Sequence, residues 1–406
     1  MSVKTPSKLE KILSAGHLAV TSEVGPPRGS DPEEVIEKAK LIKEHVDVIN
    51  VTDNQTSVTR MSSLAACIHI KQMGLEPMLQ MVTRDKNRIA LQSEILGAAS
   101  FDIFNLLCLS GDHQSFGDCP QGQNVHDLDS MQLVQTVRLM RDEGKFLGGA
   151  DIKRPPKMFV GAAANPFADP FEIRVPRLAK KIACGAEYIQ TQCIYNLDKF
   201  EEWMKLVVDR GLHEQTYILA GVTPLKSAGM AKFMKKRVPG MDVPDDVIKR
   251  MSDTPKEKQA EEGINICIET IERLKSVEGV KGFHIMAIEW ESAAKEIASR
   301  ANLLPRPVFE VDPSEAVVSF QAEAGASGGR PDDIIAAAKA EAEQIIINAK
   351  QEAASLQPSA TGPTLVSEDL GEDEMNEKER QMALEALRLG QEALQKAFGL
   401  TDDQVE

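Results

Sequence analysis

The 406-residue sequence contains no apolar run of eighteen or more residues, so no segment has the length and hydrophobicity of a membrane-spanning helix. Residues 1–10 lack the apolar core of a secretory signal and the Arg-rich, acid-poor bias of a transit peptide, and a cytoplasmic protein is expected. The six cysteines, Cys67, Cys108, Cys119, Cys184, Cys193 and Cys267, form no Cys-x-x-Cys pair. That absence removes the usual zinc and iron–sulfur signatures and leaves small, reduced, mostly buried thiols as the expected use. His113, His126 and His284 share no ligand spacing, and no metal site is expected. A net positive charge is also missing. The formal net charge is −15, and residues 310–406 hold 21 acidic and 7 basic side chains of the 62 and 47 in the chain. The first 309 residues are therefore close to neutral, which argues against nucleic-acid binding.

What the sequence does have is enough apolar residues, 42%, for a substantial core. Short β-branched apolar runs recur at 18–23, 46–52, 76–83, 101–109, 158–164, 187–194, 216–223 and 282–288. Near-continuous apolarity is the mark of strands covered on both faces. Stretches with helical spacing lie between them, at 31–45, 60–73, 86–98, 131–143, 171–184, 197–210 and 260–276. Eight strands alternating with helices predict an α/β fold, a (β/α)8 TIM barrel, over residues 1–309, with an open doubly wound sheet as the alternative.

Beyond the barrel the composition shifts. Residues 310–330 read as a linker, small and Gly/Ser-rich over 321–330. Residues 331–406 read as an acidic, mostly helical extension. One helix is expected at 332–356, with Ile334, Ile335, Ala338, Ala342, Ile345, Ile346 and Ala349 on one face. A second is expected near 373–398, with Leu384, Leu387, Leu394 and Phe398 as its stripe. Stripes this narrow require a docking surface, on the barrel or on a partner; a solvated acidic tail is the alternative.

In a barrel of this kind chemistry belongs at the C-terminal ends of the strands. The first run ends in Ser22-Glu23 before Gly25-Pro26-Pro27-Arg28. A carboxyl leaving an apolar strand is a candidate general acid, because burial favours the proton-bearing form; a salt-bridged or capping glutamate is the competing reading. The second run ends in Thr52-Asp53-Asn54, the fourth in Ser110-Gly111-Asp112-His113, the fifth in Ala163-Ala164-Asn165-Pro166, the sixth in Gln190-Thr191-Gln192 and the seventh in Gly221-Val222-Thr223-Pro224. Gly111 permits close backbone approach, the alanines leave space for a flat ring, and an amide offers both a donor and an acceptor to a heterocycle edge. Lys180-Lys181 could meet a phosphate or simply face solvent.

Taken in order, these residues resemble the methylenetetrahydrofolate reductases, flavin-dependent (β/α)8 barrels, over roughly residues 9–307. The resemblance rests on Ser22-Glu23 with Pro26-Pro27-Arg28, Val51-Thr52, Gly111-Asp112, Cys184-Gly185-Ala186-Glu187 running to Thr191-Gln192, Gly221-Val222-Thr223-Pro224 and Lys281-Gly282-Phe283-His284. It implies Glu23 as general acid, protonating N10 of 5,10-methylenetetrahydrofolate. Asp112 would bond the pterin beside the flavin, and Gln192 would bind substrate. Thr52, Gly111, Ala164 and Lys181 fall at flavin-contacting positions.

Several positions depart from the family pattern. Gln80 stands where the family has a histidine, Ser110 an arginine, Asn165 a tyrosine, Asp169 a histidine and Arg174 an acid. The cofactor is thus expected to be a flavin, FAD by resemblance, with FMN or a differently held FAD left open. Met230, Met234 and Trp290 replace a glutamine, a phenylalanine and an arginine on the substrate and nucleotide side. The expected function is reduction of 5,10-methylenetetrahydrofolate to 5-methyltetrahydrofolate in an anaerobic one-carbon pathway, with electrons from an iron–sulfur or zinc-binding partner subunit. A flavin-poor, non-catalytic folate-binding barrel serving assembly is the alternative. A pterin-binding methyltransferase ranks last, having no cobalamin-type or zinc-thiolate element.

Overall fold

The computed structural model describes residues 3–238 and 240–309. The linker expected over 310–330 and the helical extension expected over 331–406 lie outside the described residues.

All eight expected runs form parallel strands: β1 Ala19–Val24, β2 Val48–Val51, β3 Pro77–Val82, β4 Asn105–Leu109, β5 Phe159–Ala164, β6 Tyr188–Cys193, β7 Tyr217–Val222 and β8 Val280–Ile285. They pair in chain order and close into a barrel. Closure is made by β8 on β1, with Ala19 opposite Gly282 and Ser22 opposite Ile285. That pairing excludes the open sheet. The fourth run starts later than its apolar residues suggest. Phe101 and Ile103 both donate their backbone N–H to Ala98 O, and Asp102 takes φ +55°, so this stretch ends the preceding helix.

The surrounding helices are α1 Lys8–Ser14, α2 Glu33–Ile42, α3 Ser63–Gln72, α4 Arg88–Ser100, α5 Ser130–Arg138, α6 Arg174–Cys184, α7 Leu197–Asp209, α8 Ala228–Arg237, α9 Asp245–Asp253, α10 Gln259–Leu274 and α11 Glu291–Arg300. Hydrophobic patterning alone does not reveal α1, α9 or α11. The first has only seven residues, the second buries only Met251, and the third buries mostly alanines.

Alternation along each strand makes two cores. Outward residues such as Val20, Val24, Leu106, Ile189 and Ile285 pack under the helix ring. Inward residues from the N-terminal halves of the strands, including Ala19, Met78, Leu107, Phe159, Tyr188 and Leu219, fill the lower barrel, and Leu9, Ile12 and Leu13 of α1 complete this plug. Gly161 is required here. A Cβ on it would lie 2.2 Å from the Tyr188 ring, whose hydroxyl crosses to donate to Leu106 O at 3.0 Å.

Below the plug, Asp47 joins the start of the barrel to the segment after α11. Its carboxylate accepts from Arg306 Nε at 3.0 Å, from Arg306 Nη2 at 2.6 Å and from Val20 N at 2.8 Å. Arg306 also donates to Leu18 O and Leu303 O. Among the described residues no helix is long and apolar enough to cross a membrane.

Candidate active site

With the lower barrel sealed by apolar side chains, the upper interior is polar. A cavity of about 410 Å³ opens at the C-terminal strand ends. Its floor is a hydrogen-bonded set of buried side chains from four strands. Asn50 Nδ2 on β2 donates to Gln190 Oε1 on β6 at 2.8 Å, and Gln190 Nε2 donates to Thr21 Oγ1 on β1 at 3.3 Å. Thr21 Oγ1 lies 2.9 Å from His284 Nδ1 on β8. His284 Nε2 is 3.8 Å from Glu23 Oε2, one alternation above Thr21 on β1. Burying this set is tolerable because its members satisfy one another.

Small and apolar residues form one wall: Leu107 and Leu109 from β4, and Ala163 and Ala164 from β5. A cationic face of α6 stands beside them. Arg174, Arg177 and Lys181, spaced for one helix side, all line the cavity. Lys181 Nζ donates to Ala163 O, whereas Lys180 is exposed. A register shift between β6 and β7 helps to shape the opening. Thr191 Oγ1 accepts the backbone N–H of Gly221 at 2.9 Å, and Gln192 turns its Oε1 back onto Cys193 N at 3.0 Å.

Burial, with repulsion from Arg177 added, lowers the Lys181 ammonium to about 8. It carries its charge below that pH and loses it above. Binding of an anion such as sulfate at this face is therefore expected to weaken as pH rises through about 8, with up to about one proton taken up per ligand above that pH. Calorimetric titrations in buffers of different ionisation heat measure this, and pH-independent affinity without proton uptake would remove Lys181 from the anion site.

The structure gathers Glu23, Gln80, Ala164, Asn165, Lys181 and Gln192 into the wall of this one cavity. Asn165 also ties β5 to the loop after α8, donating to Gly240 O at 3.1 Å. Thr52, Ser110, Gly111 and Asp112 lie outside the wall, in the loops after β2 and β4. The Thr52 hydroxyl is buried with no hydrogen-bond partner among the described residues. The exposed Asp112 carboxylate accepts from Thr56 N at 2.9 Å. Gly111 has φ +85°, and a Cβ there would meet Val82 and Arg84 at 3.1–3.2 Å, so the turn into Asp112 depends on glycine. Met230 and Trp290 are likewise outside the wall. Met230 sits in the first turn of α8, its N–H donating to the capping Ser227 Oγ at 3.1 Å. Trp290 caps α11 with Lys226 Nζ 5.6 Å from its ring centre.

Sequence reasoning gave no role to His284, Arg84 or Arg177. The signal for Arg84 was a charged residue directly after an apolar strand. It is fully buried, forks onto Asp85, and donates to Asp112 O at 3.0 Å and Asn54 O at 3.2 Å. Arg84 thereby ties together the loops after β2, β3 and β4. Among the described residues no group of three or more His, Cys, Asp or Glu side chains is arranged to hold a metal ion.

A closed (β/α)8 barrel with a polar cavity at the C-terminal strand ends and a cationic wall defines the class of barrel whose reactions and ligands sit at that mouth. Residues 8–302 match the methylenetetrahydrofolate reductase family, and the chain belongs to that family. It is similar to methylenetetrahydrofolate reductase 2 of Schizosaccharomyces pombe, 23% identical over 292 residues, covering 70% of this chain and 40% of the relative. It is also similar to methylenetetrahydrofolate reductase 2 of Saccharomyces cerevisiae, 25% identical over 155 residues, covering 36% and 25%. The match thus spans less than half the length of either relative. Among solved structures, an uncharacterised protein from Clostridium thermocellum that binds two copies of 5-methyl-5,6,7,8-tetrahydrofolic acid shares the fold. Its TM-score is 0.54 at 13% identity, covering 73% of this chain and 100% of that one.

Proposed function

We propose that this barrel reduces 5,10-methylenetetrahydrofolate to 5-methyltetrahydrofolate with a bound flavin, drawing its electrons from a partner subunit. The observation that carries the reading is a half-buried carboxylate, Glu23, in a family member's barrel cavity that also has an apolar ledge and a cationic wall.

The residues present fit a flavin. Leu107, Leu109, Ala163 and Ala164 give a flat, apolar surface for a ring system, and Arg174, Arg177 and Lys181 offer charge to phosphate. The unpartnered Thr52 hydroxyl is a further free polar group, and the Gln80 amide faces the cavity. When bound, a flavin would supply the hydride that reduces the methylene carbon. The chain's own part is to hold the folate and deliver a proton. Glu23 would give its proton to N10, opening the imidazolidine ring to the iminium. Gln192 and Asp112 would orient the pterin by hydrogen bonds, and the closed lower barrel keeps water from entering beneath the reacting atoms.

The partner as electron source is supported by the position of Met234. It is buried, and its sulfur accepts from Tyr195 OH at 3.3 Å. The family's aromatic nucleotide-receiving side chain is thus replaced by one turned into the core. The full chain is expected to purify yellow, and chromatography of the heat-released flavin identifies FAD or FMN. Colourless protein that still binds folate would favour the non-catalytic assembly subunit. Rapid steady-state reduction by NADH or NADPH alone would remove the partner from the scheme.

A further inference from the structure

We infer that Arg84 is the positioning residue for Asp112: its buried guanidinium joins the loops after β2 and β4 into one closed ring of hydrogen bonds that fixes the Asp112 carboxylate for the pterin. The inference rests on the proposed role of Asp112 in orienting that ring.

Arg84 follows β3 and does not line the cavity. Its Nε and Nη2 fork onto Asp85 Oδ1 and Oδ2 at 2.7 and 2.6 Å, which sets the plane of the guanidinium. From that plane Nη2 donates to Asn54 O at 3.2 Å and Nη1 to Asp112 O at 3.0 Å. The ring closes at Thr56, two residues beyond Asn54, whose N–H donates to Asp112 Oδ2 at 2.9 Å. Asp112 is thus held at both ends. Arg84 holds its backbone carbonyl, and the loop that Arg84 also holds takes one carboxylate oxygen. The other, Oδ1, has no hydrogen-bond partner among the described residues, and the residue is exposed, so that oxygen is left for a ligand N–H.

The loop after β2 does not take this shape by preference. Asn54, Thr56 and Ser57 have φ of +43°, +54° and +60°, a region unfavourable to a β-branched residue such as Thr56. Such backbone persists where its surroundings impose it. The bonds from Arg84 to Asn54 O and from Thr56 N to Asp112 do so here. The Arg84 side chain is 2% exposed, so water does not replace its bonds. Lysine carries a single nitrogen and cannot span the three loops at once.

The test is a double-mutant cycle on the full-length, flavin-loaded protein, reading the Kd of 5-methyltetrahydrofolate by calorimetry. Arg84→Lys and Asp85→Ala each loosen the ring, and Asp112→Asn removes the charge that it positions. The Asp85 side chain is 35% exposed, so Asp85→Ala keeps the test open if Arg84→Lys does not fold. Each single variant is expected to raise Kd roughly 10-fold or more, the scale of a hydrogen bond to a charged group. In the Asp112→Asn background, Arg84→Lys and Asp85→Ala are expected to add less than about 2-fold, because they act through the carboxylate already removed. The same fold-increase with and without the Asp112 carboxylate overturns the inference and leaves Arg84 a support of the fold alone. A natural Kd in both Arg84→Lys and Asp85→Ala overturns it too. A natural Kd in Asp112→Asn overturns the role of Asp112 and the inference with it. The expected coupling in a chain that reduces no methylenetetrahydrofolate, with flavin and reductant supplied, overturns the proposed reaction and leaves the positioning by Arg84 standing.

Discussion

Replacing Glu23 by Gln is expected to leave the flavin content and its photoreduction intact while lowering methylenetetrahydrofolate reduction roughly 10²–10⁴-fold, the usual contribution of a positioned general acid. The amide matches the carboxyl in shape and still reaches toward His284 Nε2, so the cavity floor is undisturbed. What it lacks is a proton that N10 can take. The two half-reactions separate the roles: reduction of the flavin does not need the acid, and ring opening does. Turnover near the natural rate in Glu23→Gln, measured with a chemical reductant of the flavin, would remove Glu23 from the proton transfer.

The second large effect concerns stability. Replacing Arg306 by Met is expected to destabilise the barrel by about 3–5 kcal/mol, the cost of leaving a buried charge without its partner. The Asp47 side chain is fully buried and that of Arg306 is 10% exposed, so water can compensate little. The same substitution also frees Leu18 O and Leu303 O, and it unties the residues after α11 from the edge of β1. Denaturant unfolding of Arg306→Met, Asp47→Asn and the double variant measures it. The double variant should lose much less than the sum of the singles, because the pair acts as a unit. A loss below about 1 kcal/mol in Arg306→Met would mean that the pair behaves like an ordinary surface salt bridge.

Most of the barrel was legible because its strands are covered on both faces. Runs such as Val48-Ile49 before Asn50 and Ile218-Leu219-Ala220 must be apolar whichever way each residue points. Elements that bury little left no such trace, as α9 and α11 show. Site residues at strand ends were legible where polarity interrupts an apolar run, as at Glu23 and Gln192. Arg84 and His284 were harder to interpret. Arg84 follows β3 and His284 lies within β8, and what each touches comes from elsewhere in the chain: the loop residues Asn54 and Asp112 for one, Thr21 and Glu23 of β1 for the other.

By itself the sequence determined an alternation of eight strands with helices, a near-neutral body, an acidity that lies after residue 309, and which residues stand at the strand ends, since periodicity and composition are local properties. Only the tertiary structure decided that β8 closes on β1, that the α6 cations line one cavity with the alanines of β5, and that Asn50, Gln190, Thr21 and His284 form a chain beneath Glu23. The closure and the chain beneath Glu23 depend on strand register, which brings together residues more than a hundred positions apart, and no local pattern encodes that distance.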